Sequence, residues 1–371
     1  MDRAPLEIAT PTIYDVAALA GVSIATVSRV LNTRGHARPE TRDRVLDAAA
    51  ELQFVPNGAA RQLSSRVKQV LALVFVRPPA KEPGDENDDL AEVETDLLFT
   101  DSVIRGAEAA AQQHGYSLLL RGVHAGDVAT TTSLTGKSDG LIVLDQVLPS
   151  HRVASLAART PMVLLAGSGR SRSARTVRVD NRGGMEAIAE HLIGTHCLHR
   201  LAFMAGIDSS PDSYTRAEAF RSAVEHLGAS FEEQDAWWSA DWTAAGAADA
   251  MRRRIEAGPP LPEGIACAND QMAVGVTHAL REAGLRVPAD VAVTGFDNIP
   301  LARYLRPPLT TVRQPAQQLG AVAVDTLVAM TERSAPPPRN VVLPTHLVVR
   351  SSCGCRTNGR GSGSADPRYE Q

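Results

Sequence analysis

Two cysteines separated by one glycine, Cys353 and Cys355, have the spacing in this chain that most directly suggests chemistry. Thiolates bind soft metal ions and undergo redox reactions, so a C-x-C pair can belong to a metal site or a redox sensor. A structural zinc site needs two further ligands, and the neighbouring sequence offers none. We therefore interpret the pair as two surface thiols, and we expect no bound metal and no cofactor.

Motifs that carry catalysis or phosphate binding are missing from the sequence. It contains no G-x-S-x-G nucleophile turn, no G-x-x-x-x-G-K-[ST] phosphate loop and no H-E-x-x-H zinc helix. Its ten histidines show no spacing typical of metal ligands. The sequence therefore favours a binding protein over an enzyme.

Length and composition indicate an ordinary globular protein of two or three domains. The chain has 371 residues, of which 44% are hydrophobic and 22% are charged. It contains no apolar run of about 18 residues, and its N-terminus lacks the features of a signal peptide, so we expect a cytoplasmic protein without a membrane span. The net charge is −4, divided as +1 over residues 1–67 and −5 over the remainder. This asymmetry is too weak to predict nucleic-acid binding by itself.

Three short helices are predicted over residues 12–53. Thr12 and Asp15 resemble a capping box, Gly21 ends the first helix and Ser23 is placed to cap the second, SIATVSRVLN. Pro39 suits the first turn of the third helix. A helix, a short turn containing glycine and a second helix form the helix-turn-helix pattern.

From Gln69 onward, short apolar segments alternate with helical ones. QVLALVFV, YSLLL, GLIVL, PMVLLA, RLAFMA, GIACA and DVAVTGF read as strands, with amphipathic stretches between many of them. This alternation predicts an α/β fold of doubly wound parallel sheets, and the length favours two subdomains with a ligand cleft between them. Residues 82–96, with eight acidic side chains, predict a solvated insertion. The polar C-terminus predicts a disordered tail over 351–371.

The sequence TIYDVAALAGVSIATVSRVLN, followed by RPETRDRVLDAAAELQFVPNGAARQLSS, closely resembles the headpiece of the lactose-repressor (LacI/GalR) family of transcription regulators. RVDNRGG, SYTRAEAF, CANDQMAVGVTHAL, VAVTGFDN, PPLTTVRQPAQQLG and LVVRSS match the family in the same order. The resemblance implies a helix-turn-helix headpiece (11–55), a hinge helix (56–67) and a periplasmic-binding-protein-like effector-binding and dimerisation domain (68–350). It also implies a homodimer that binds a pseudo-palindromic operator and responds to a small molecule, most often as a repressor.

By this resemblance the second helix reads bases in the major groove. Arg29 would donate two hydrogen bonds to guanine, and Ile24 and Ala25 would contact a thymine methyl. The positions matched to phosphate or register contacts are Tyr14, Ser23, Thr26, Ser28, Asn32 and His36. In the hinge, Leu63 would wedge into the minor groove beside Asn57 and Ala60. A flexible linker whose leucine packs on the body is the alternative.

The resemblance also implies a set of effector-binding residues: Phe99, Asp180, Arg216, Trp242, Asn269 and Asp297. For Asp270 we favour a capping role over ligand binding. The family's first ligand loop is replaced here by the acidic insertion and LLFT, so that Phe99 alone matches plainly. Two carboxylates and one tryptophan favour a sugar or sugar derivative over a purine, although a second ring from Phe99 would favour the purine. A transporter's sugar-binding protein, or a sugar-binding module without DNA function, is the rival interpretation.

Overall fold

The computed structural model describes residues 11–31, 37–54, 67–77, 98–144, 147–166, 174–207, 210–231, 238–239, 241–258, 260–332 and 337–356. The chain divides into two units, with the boundary between Lys68 and Gln69. The predicted Asn32, His36, Asn57, Ala60 and Leu63, the acidic insertion 82–96 and residues 357–371 lie outside the described residues.

The described residues of the first unit form three helices: α1 (Ile13–Ala20), α2 (Ile24–Leu31) and α3 (Pro39–Glu51). The Asp15 carboxylate accepts hydrogen bonds from the backbone N–H of Thr12 (2.8 Å) and from its hydroxyl (2.7 Å), and the Ser23 hydroxyl accepts from the N–H of Thr26. The axes of α1 and α2 bend by 103°, as helix-turn-helix geometry requires. Val16, Val27 and Val45, one from each helix, are fully buried together.

The second unit has eight α-helices and thirteen strands among its described residues. The helices are α4 (Leu98–Gln113), α5 (Val128–Thr135), α6 (Ser150–Ala157), α7 (Asn181–Glu190), α8 (Pro211–His226), α9 (Ala244–Glu256), α10 (Asp270–Glu282) and α11 (Ala316–Thr331). A π-helical turn (His191–Thr195) follows α7, and a 3-10 turn spans Pro300–Arg303. The strands are β1 (Val70–Val76), β2 (Ser117–Val123), β3 (Gly140–Leu144), β4 (Met162–Leu165), β5 (Arg175–Val179), β6 (Arg200–Ala205), β7 (Ser230–Phe231), β8 (Trp238–Ser239), β9 (Gly264–Cys267), β10 (Ala292–Asp297), β11 (Thr310–Arg313), β12 (Asn340–Leu343) and β13 (His346–Val348).

These strands form two sheets, one in each subdomain. The first has the order β12-β5-β4-β3-β1-β2 and is parallel throughout. The second has the order β13-β11-β10-β9-β6-β7, with β8 beside β6, and β13 is its one antiparallel strand among those described. In β1, Leu71 and Leu73 join the core on one side of the sheet while Ala72 and Val74 join the core on the other. Burial on both faces explains why this strand is continuously apolar.

The chain crosses between the subdomains three times. It leaves the first sheet after β5, returns after β11 to build α11 and β12, and crosses again before β13. The crossing segments at Asp180 and Thr345 are tied together, because the Thr345 hydroxyl donates to the backbone carbonyl of Asp180 (2.9 Å). The Asp180 N–H in turn donates to the carbonyl of Leu343. The two subdomains are therefore joined by neighbouring crossing segments that are hydrogen-bonded to each other, as in a hinge.

The predicted α/β architecture is confirmed, and all seven predicted strands are present. The predicted start of the disordered tail, at residue 351, was too early. Residues 351–356 have a defined conformation, since the Ser352 hydroxyl accepts from the N–H of Thr310 and donates to the carbonyl of Val293. Among the described residues no single helix is long and apolar enough to cross a membrane, and only the sharply bent pair α1 and α2 meets the length and composition criteria.

Candidate functional site

The predicted base-reading residues lie on the open face of α2. Val27 and Val30 of this helix are buried, whereas Ile24, at 41% exposure, Ala25 and Arg29 are exposed. An exposed isoleucine at the start of a helix contributes little to the headpiece core, so its position is compatible with contact to another surface. Tyr14 and Ser23 are also exposed, and Thr26 and Ser28 are half-buried. The structure thus brings the described members of the predicted DNA-binding set to the surface of the headpiece.

A cavity of about 500 Å³ lies between the two subdomains of the second unit. Its walls are built at the carboxyl ends of parallel strands, where open α/β sheets bind ligands. Phe99 of α4 and His124, which follows β2, line the side of the first sheet. Asn269, which follows β9, and Asp297, at the end of β10, line the side of the second. Such a volume is in the range of small-molecule sites.

Arg216 is a buried charged side chain of this cavity wall. It is only 4% exposed, its Nε donates to Asn181 Oδ1 (2.8 Å) and its Nη1 donates to the carbonyl of Ala268 (2.6 Å). The guanidinium carbon lies 3.7 Å from the centroid of the Phe296 ring, a stacking contact. A guanidinium carries five N–H groups, and these hydrogen bonds use two of them. Arg216 is therefore fixed in place with part of its donor capacity left over.

Asp297 lies beside this arginine, with 3.8 Å between its Oδ1 and the Nη1 of Arg216, and it also accepts from the Gln314 amide. Burial raises the pKa of Asp297 to about 7 against the opposing effect of Arg216. Asp270 is completely buried, and burial followed by the nearby Asp297 raises its pKa well above the usual range. The cavity therefore holds a carboxyl group that titrates close to neutrality.

Asn269 and Trp242 form a second contact in the same wall. Asn269 caps α10 by accepting from the N–H of Met272 (2.8 Å), and its amide donates to the carbonyl of Trp242 (3.0 Å). Trp242 has a positive φ of 73° and packs against Gly206, where a Cβ would lie 2.5 Å from the indole. The capping role predicted for Asp270 was wrong. Asn269 provides the cap, whereas Asp270 accepts from the Thr311 hydroxyl and from the N–H of Ile299.

The structure brings five of the six predicted effector residues into this cavity wall: Phe99, Arg216, Trp242, Asn269 and Asp297. Asp180 does not belong to the lining. Its carboxylate accepts from the N–H of Gly183 (3.0 Å) and caps α7 at the crossing between subdomains. An acidic side chain immediately before a helix is a common N-cap, and this hydrogen bond occupies the Asp180 carboxylate outside the cavity lining.

Nine polar lining residues were missed from the sequence: Arg77, Thr100, His124, Ser210, Asp212, Asp241, Thr243, Gln271 and Gln314. Burial raises the pKa of Asp212, which accepts from the Asn181 amide (2.9 Å). Asp212 precedes Arg216 by four residues on α8, so helical spacing could have placed the two on one face. The Gln271 side-chain nitrogen is buried without a hydrogen-bond partner among the described residues. An unpaired buried amide is costly, so a ligand oxygen that accepts from it would gain affinity.

The interpretation of Cys353 and Cys355 as surface thiols was wrong. Cys353 is 2% exposed, Cys355 is half-buried, and both sulfurs contact histidines more than 150 positions earlier in the chain. The sheet order brings α7 next to β13 and the segment that follows it. The fold therefore brings two histidines to the two cysteines, and local spacing could not reveal this contact.

Comparison with known proteins gives two family matches. Residues 12–57 match the profile "Bacterial regulatory proteins, lacI family", and residues 189–353 match "Periplasmic binding protein-like domain". The transcriptional regulator CelR of Thermobifida fusca is 31% identical over 353 residues, covering 92% of this chain and 98% of the relative. The ribose operon repressor of Escherichia coli K12 is 28% identical, covering 92% and 99%.

Solved structures agree with these matches. The lac repressor dimer bound to operator and the anti-inducer ONPF has a TM-score of 0.78 at 28% identity, covering 92% of this chain and 99% of that one. The complex of CelR with cellobiose has a TM-score of 0.66 at 30% identity and the same coverage. The headpiece match, the two-subdomain body and the 31% identity to CelR over 92% of this chain all indicate the same family. This chain belongs to the LacI family of DNA-binding transcription regulators, a family without enzymatic activity.

Proposed function

We propose that this protein is a homodimeric repressor of a carbohydrate-related operon, which binds a pseudo-palindromic operator and is controlled by a sugar or sugar derivative in the cavity. Residues 11–55 act as the DNA-binding headpiece, 56–67 as the hinge and 68–356 as the effector-binding and dimerisation body. Leu63 acts in the hinge as the minor-groove wedge, with Asn57 and Ala60 beside it.

The observation that carries the sugar assignment is the chemistry of the cavity wall. The carboxylates of Asp212, Asp241 and Asp297 are acceptors for hydroxyl groups, and Trp242 offers a flat apolar face. Arg216 adds N–H donors, and the Gln271 amide adds a buried donor that has no partner among the described residues. A polyol both donates and accepts at each hydroxyl and has apolar ring faces, so it can satisfy all of these groups together.

The distribution of these groups supports a closing mechanism. Most polar lining residues belong to the second subdomain, whereas the first contributes mainly Phe99, Arg77 and His124. A ligand held by the second subdomain would gain further contacts when the first closes over it. Because the headpieces are attached ahead of the first sheet, closure would alter their spacing, and the effector would act through its higher affinity for one arrangement.

A purine is the second candidate effector, favoured by one observation: Phe99 lines the same cavity as Trp242 and supplies a second ring. The relatives are divided. CelR was solved with cellobiose, whereas the purine repressor PurR of Vibrio vulnificus is 28% identical over 351 residues, covering 92% of this chain and 98% of the relative. In their ionised form the carboxyl groups disfavour the electron-rich edge of a purine, because a carboxylate only accepts hydrogen bonds.

Calorimetry on the full chain separates these candidates. The ligands are mono- and disaccharides, sugar phosphates and purine bases, with Arg216→Ala and Asp297→Ala as cavity variants and Arg286→Ala and Asp290→Ala as controls. The control pair is an ion pair outside the cavity, with Arg286 74% exposed. We expect a sugar to bind, with affinity lost in the cavity variants only. Binding of a purine base without any sugar would overturn the sugar assignment, and full affinity in both cavity variants would overturn the site.

The DNA half of the proposal is tested separately. Selection of bound sequences from random duplexes, followed by footprinting with and without the calorimetric ligand, should give a two-fold symmetric site whose occupancy changes with ligand. A bound sequence without two-fold symmetry would contradict the proposal that a homodimer binds the operator.

A further inference from the structure

Four side chains with metal-binding atoms meet at one place outside the cavity: His191, His196, Cys353 and Cys355. One potential ligand atom from each lies within 4.8 Å of all the others. His191 Nε2 is 3.3 Å from the sulfur of Cys353 and 3.6 Å from that of Cys355, and His196 Nε2 is 3.3 Å from Cys355. A zinc ion with ordinary Zn–N and Zn–S bonds in tetrahedral geometry separates its nitrogen and sulfur ligands by about 3.5 Å.

The π-helical turn explains how two histidines five residues apart reach one centre. In an α-helix such residues point about 140° apart. A π turn closes hydrogen bonds between residues five apart, so His196 returns to the side of His191. Their ring centroids are 5.0 Å apart, with the planes nearly perpendicular at 82°. π turns of this kind are frequent at functional sites.

The two cysteines reach the same centre from a tight turn. Gly354 between them has a φ of +109°, which only glycine adopts without strain, and a Cβ there would lie 3.2 Å from His196 Nδ1. The turn is docked on the second sheet, since Ser351 and Ser352 both donate from their N–H groups to the carbonyl of Pro308. The thiols are thereby held in fixed positions.

The surroundings suit a histidine and a cysteine that bind a metal ion. His191 is half-buried, and its Nε2 faces both sulfurs, at 3.3 Å from Cys353 and 3.6 Å from Cys355. Its other nitrogen, Nδ1, lies 3.4 Å from the Thr195 hydroxyl, a contact that orients the ring as metal-bound histidines require. The Thr310 hydroxyl, 3.1 Å from the sulfur of Cys353, is placed to donate to a thiolate there.

We propose that these four residues form a structural zinc site that fastens the C-terminal segment 350–356 to the end of α7. Two sulfurs and two nitrogens without a carboxylate favour zinc over magnesium or calcium. Four protein ligands leave no open position, so the ion is structural and not catalytic. Binding displaces the thiol protons of Cys353 and Cys355 into solvent, and the neutral Cys₂His₂ centre contains no exchangeable ligand.

The first test measures the metal content of the full chain, produced with zinc in the medium and purified without chelator. Wild type should carry about one zinc per chain, whereas Cys355→Ser and His196→Gln should carry only traces. Cys197→Ser and His199→Gln are matched controls, because both residues are exposed, close in sequence and outside the cluster. Equal zinc in all five proteins, or none in wild type, would overturn the proposal.

The second test does not depend on whether the variants fold. Wild type freed of metal under reducing conditions is titrated with Co²⁺, and we expect thiolate-to-cobalt charge transfer together with the visible bands of tetrahedral cobalt, saturating at one ion per chain. Zinc should then displace the cobalt, raise the Tm and slow hydrogen exchange over 350–356. Absence of these bands, or a Cys353–Cys355 disulfide in freshly purified protein that binds no metal, would overturn the proposal.

Discussion

Arg29 and Arg216 carry the same guanidinium group in opposite environments. Arg29 is exposed on α2, and Arg216 is buried with hydrogen bonds to Asn181 and Ala268. An exposed arginine keeps its donors in water until a partner displaces that water. A buried one is already oriented and loses little entropy when a ligand arrives. The first environment suits recognition of a large partner, and the second suits a small molecule.

Arg29→Ala should weaken binding to the selected operator by about 1–3 kcal/mol, roughly 5- to 150-fold, because the paired hydrogen bonds to one guanine are lost. Discrimination should relax at one base pair per half-site. Arg29→Lys is the control, since it keeps the charge without the planar fork. Gel-shift titrations on operator and random duplexes check this. Equal weakening on both would assign Arg29 to phosphate contact.

Asp297 should make effector affinity depend on pH. Its pKa is raised to about 7, so its acceptor form is the minor one at pH 6 and the major one at pH 8. Hydroxyl groups of a sugar bind the ionised form, so affinity should rise by about ten-fold between these pH values. Calorimetry across this range checks the slope, and Asp297→Asn should remove it. An unchanged slope in this variant would assign the titration to Asp212.

The raised pKa of Asp297 has the opposite effect on folding, because the stability of the folded protein falls as the pH rises. Between about pH 4 and pH 7 the folded protein retains a proton on Asp297 that the unfolded chain has released. The stabilising contribution of the protonated form is therefore present below pH 4 and is lost as the pH rises through 7. Urea unfolding at pH 5 and pH 8 should show a smaller decline in Asp297→Asn than in wild type.

Among the elements, α4 and α11 make the closest approach that this fold requires. A Cβ at Gly320 would lie 2.0 Å from the carbonyl oxygen of Val103, and a Cβ at Gly106 would lie 1.8 Å from that of Gln317. Both distances are far inside van der Waals contact with rigid backbone. The two helices can pack only because each carries a glycine opposite the backbone of the other.

Gly320→Ala should therefore destabilise the protein by about 1–3 kcal/mol, although alanine is the better helix former. Gly136→Ala is the matched control, because its nearest contact would be 3.7 Å away. Urea unfolding of both variants measures the difference. A stabilised Gly320→Ala protein would contradict the close packing of these helices.

The sequence predicted elements well where one pattern dominated and poorly where two competed. The segment GLIVL was predicted as a strand, and β3 has the same bounds in the structure, because both faces of this strand are buried. The sequence analysis missed β5, whose sequence is RTVRV, because two arginines interrupt its apolar residues.

The contact of His191 with Cys353 could not be predicted from the sequence for a different reason. It depends on which strands become neighbours, and sheet order is not encoded in local spacing.

At the scale of the whole molecule, the headpiece and the body form separate sets of contacts. A chain beginning at Val67 should therefore fold, bind effector with unchanged Kd and bind no operator. The complementary full-length variant Arg216→Ala should bind operator and ignore the effector. Calorimetry and gel shift on both proteins check this. Loss of effector binding in the shortened chain would show that the cavity needs the first unit.

The triple crossing between subdomains also governs how the protein is made. On the ribosome β5 emerges long before its sheet neighbour β12, which begins only at Asn340. At about 5–20 residues per second the delay is on the order of 10–30 seconds. During that time β5 presents a strand edge with unpaired backbone groups beside the apolar side chains of Val177 and Val179, the kind of edge that recruits other chains. The nascent chain is thus exposed to aggregation, and to chaperones, while its second sheet is being synthesised.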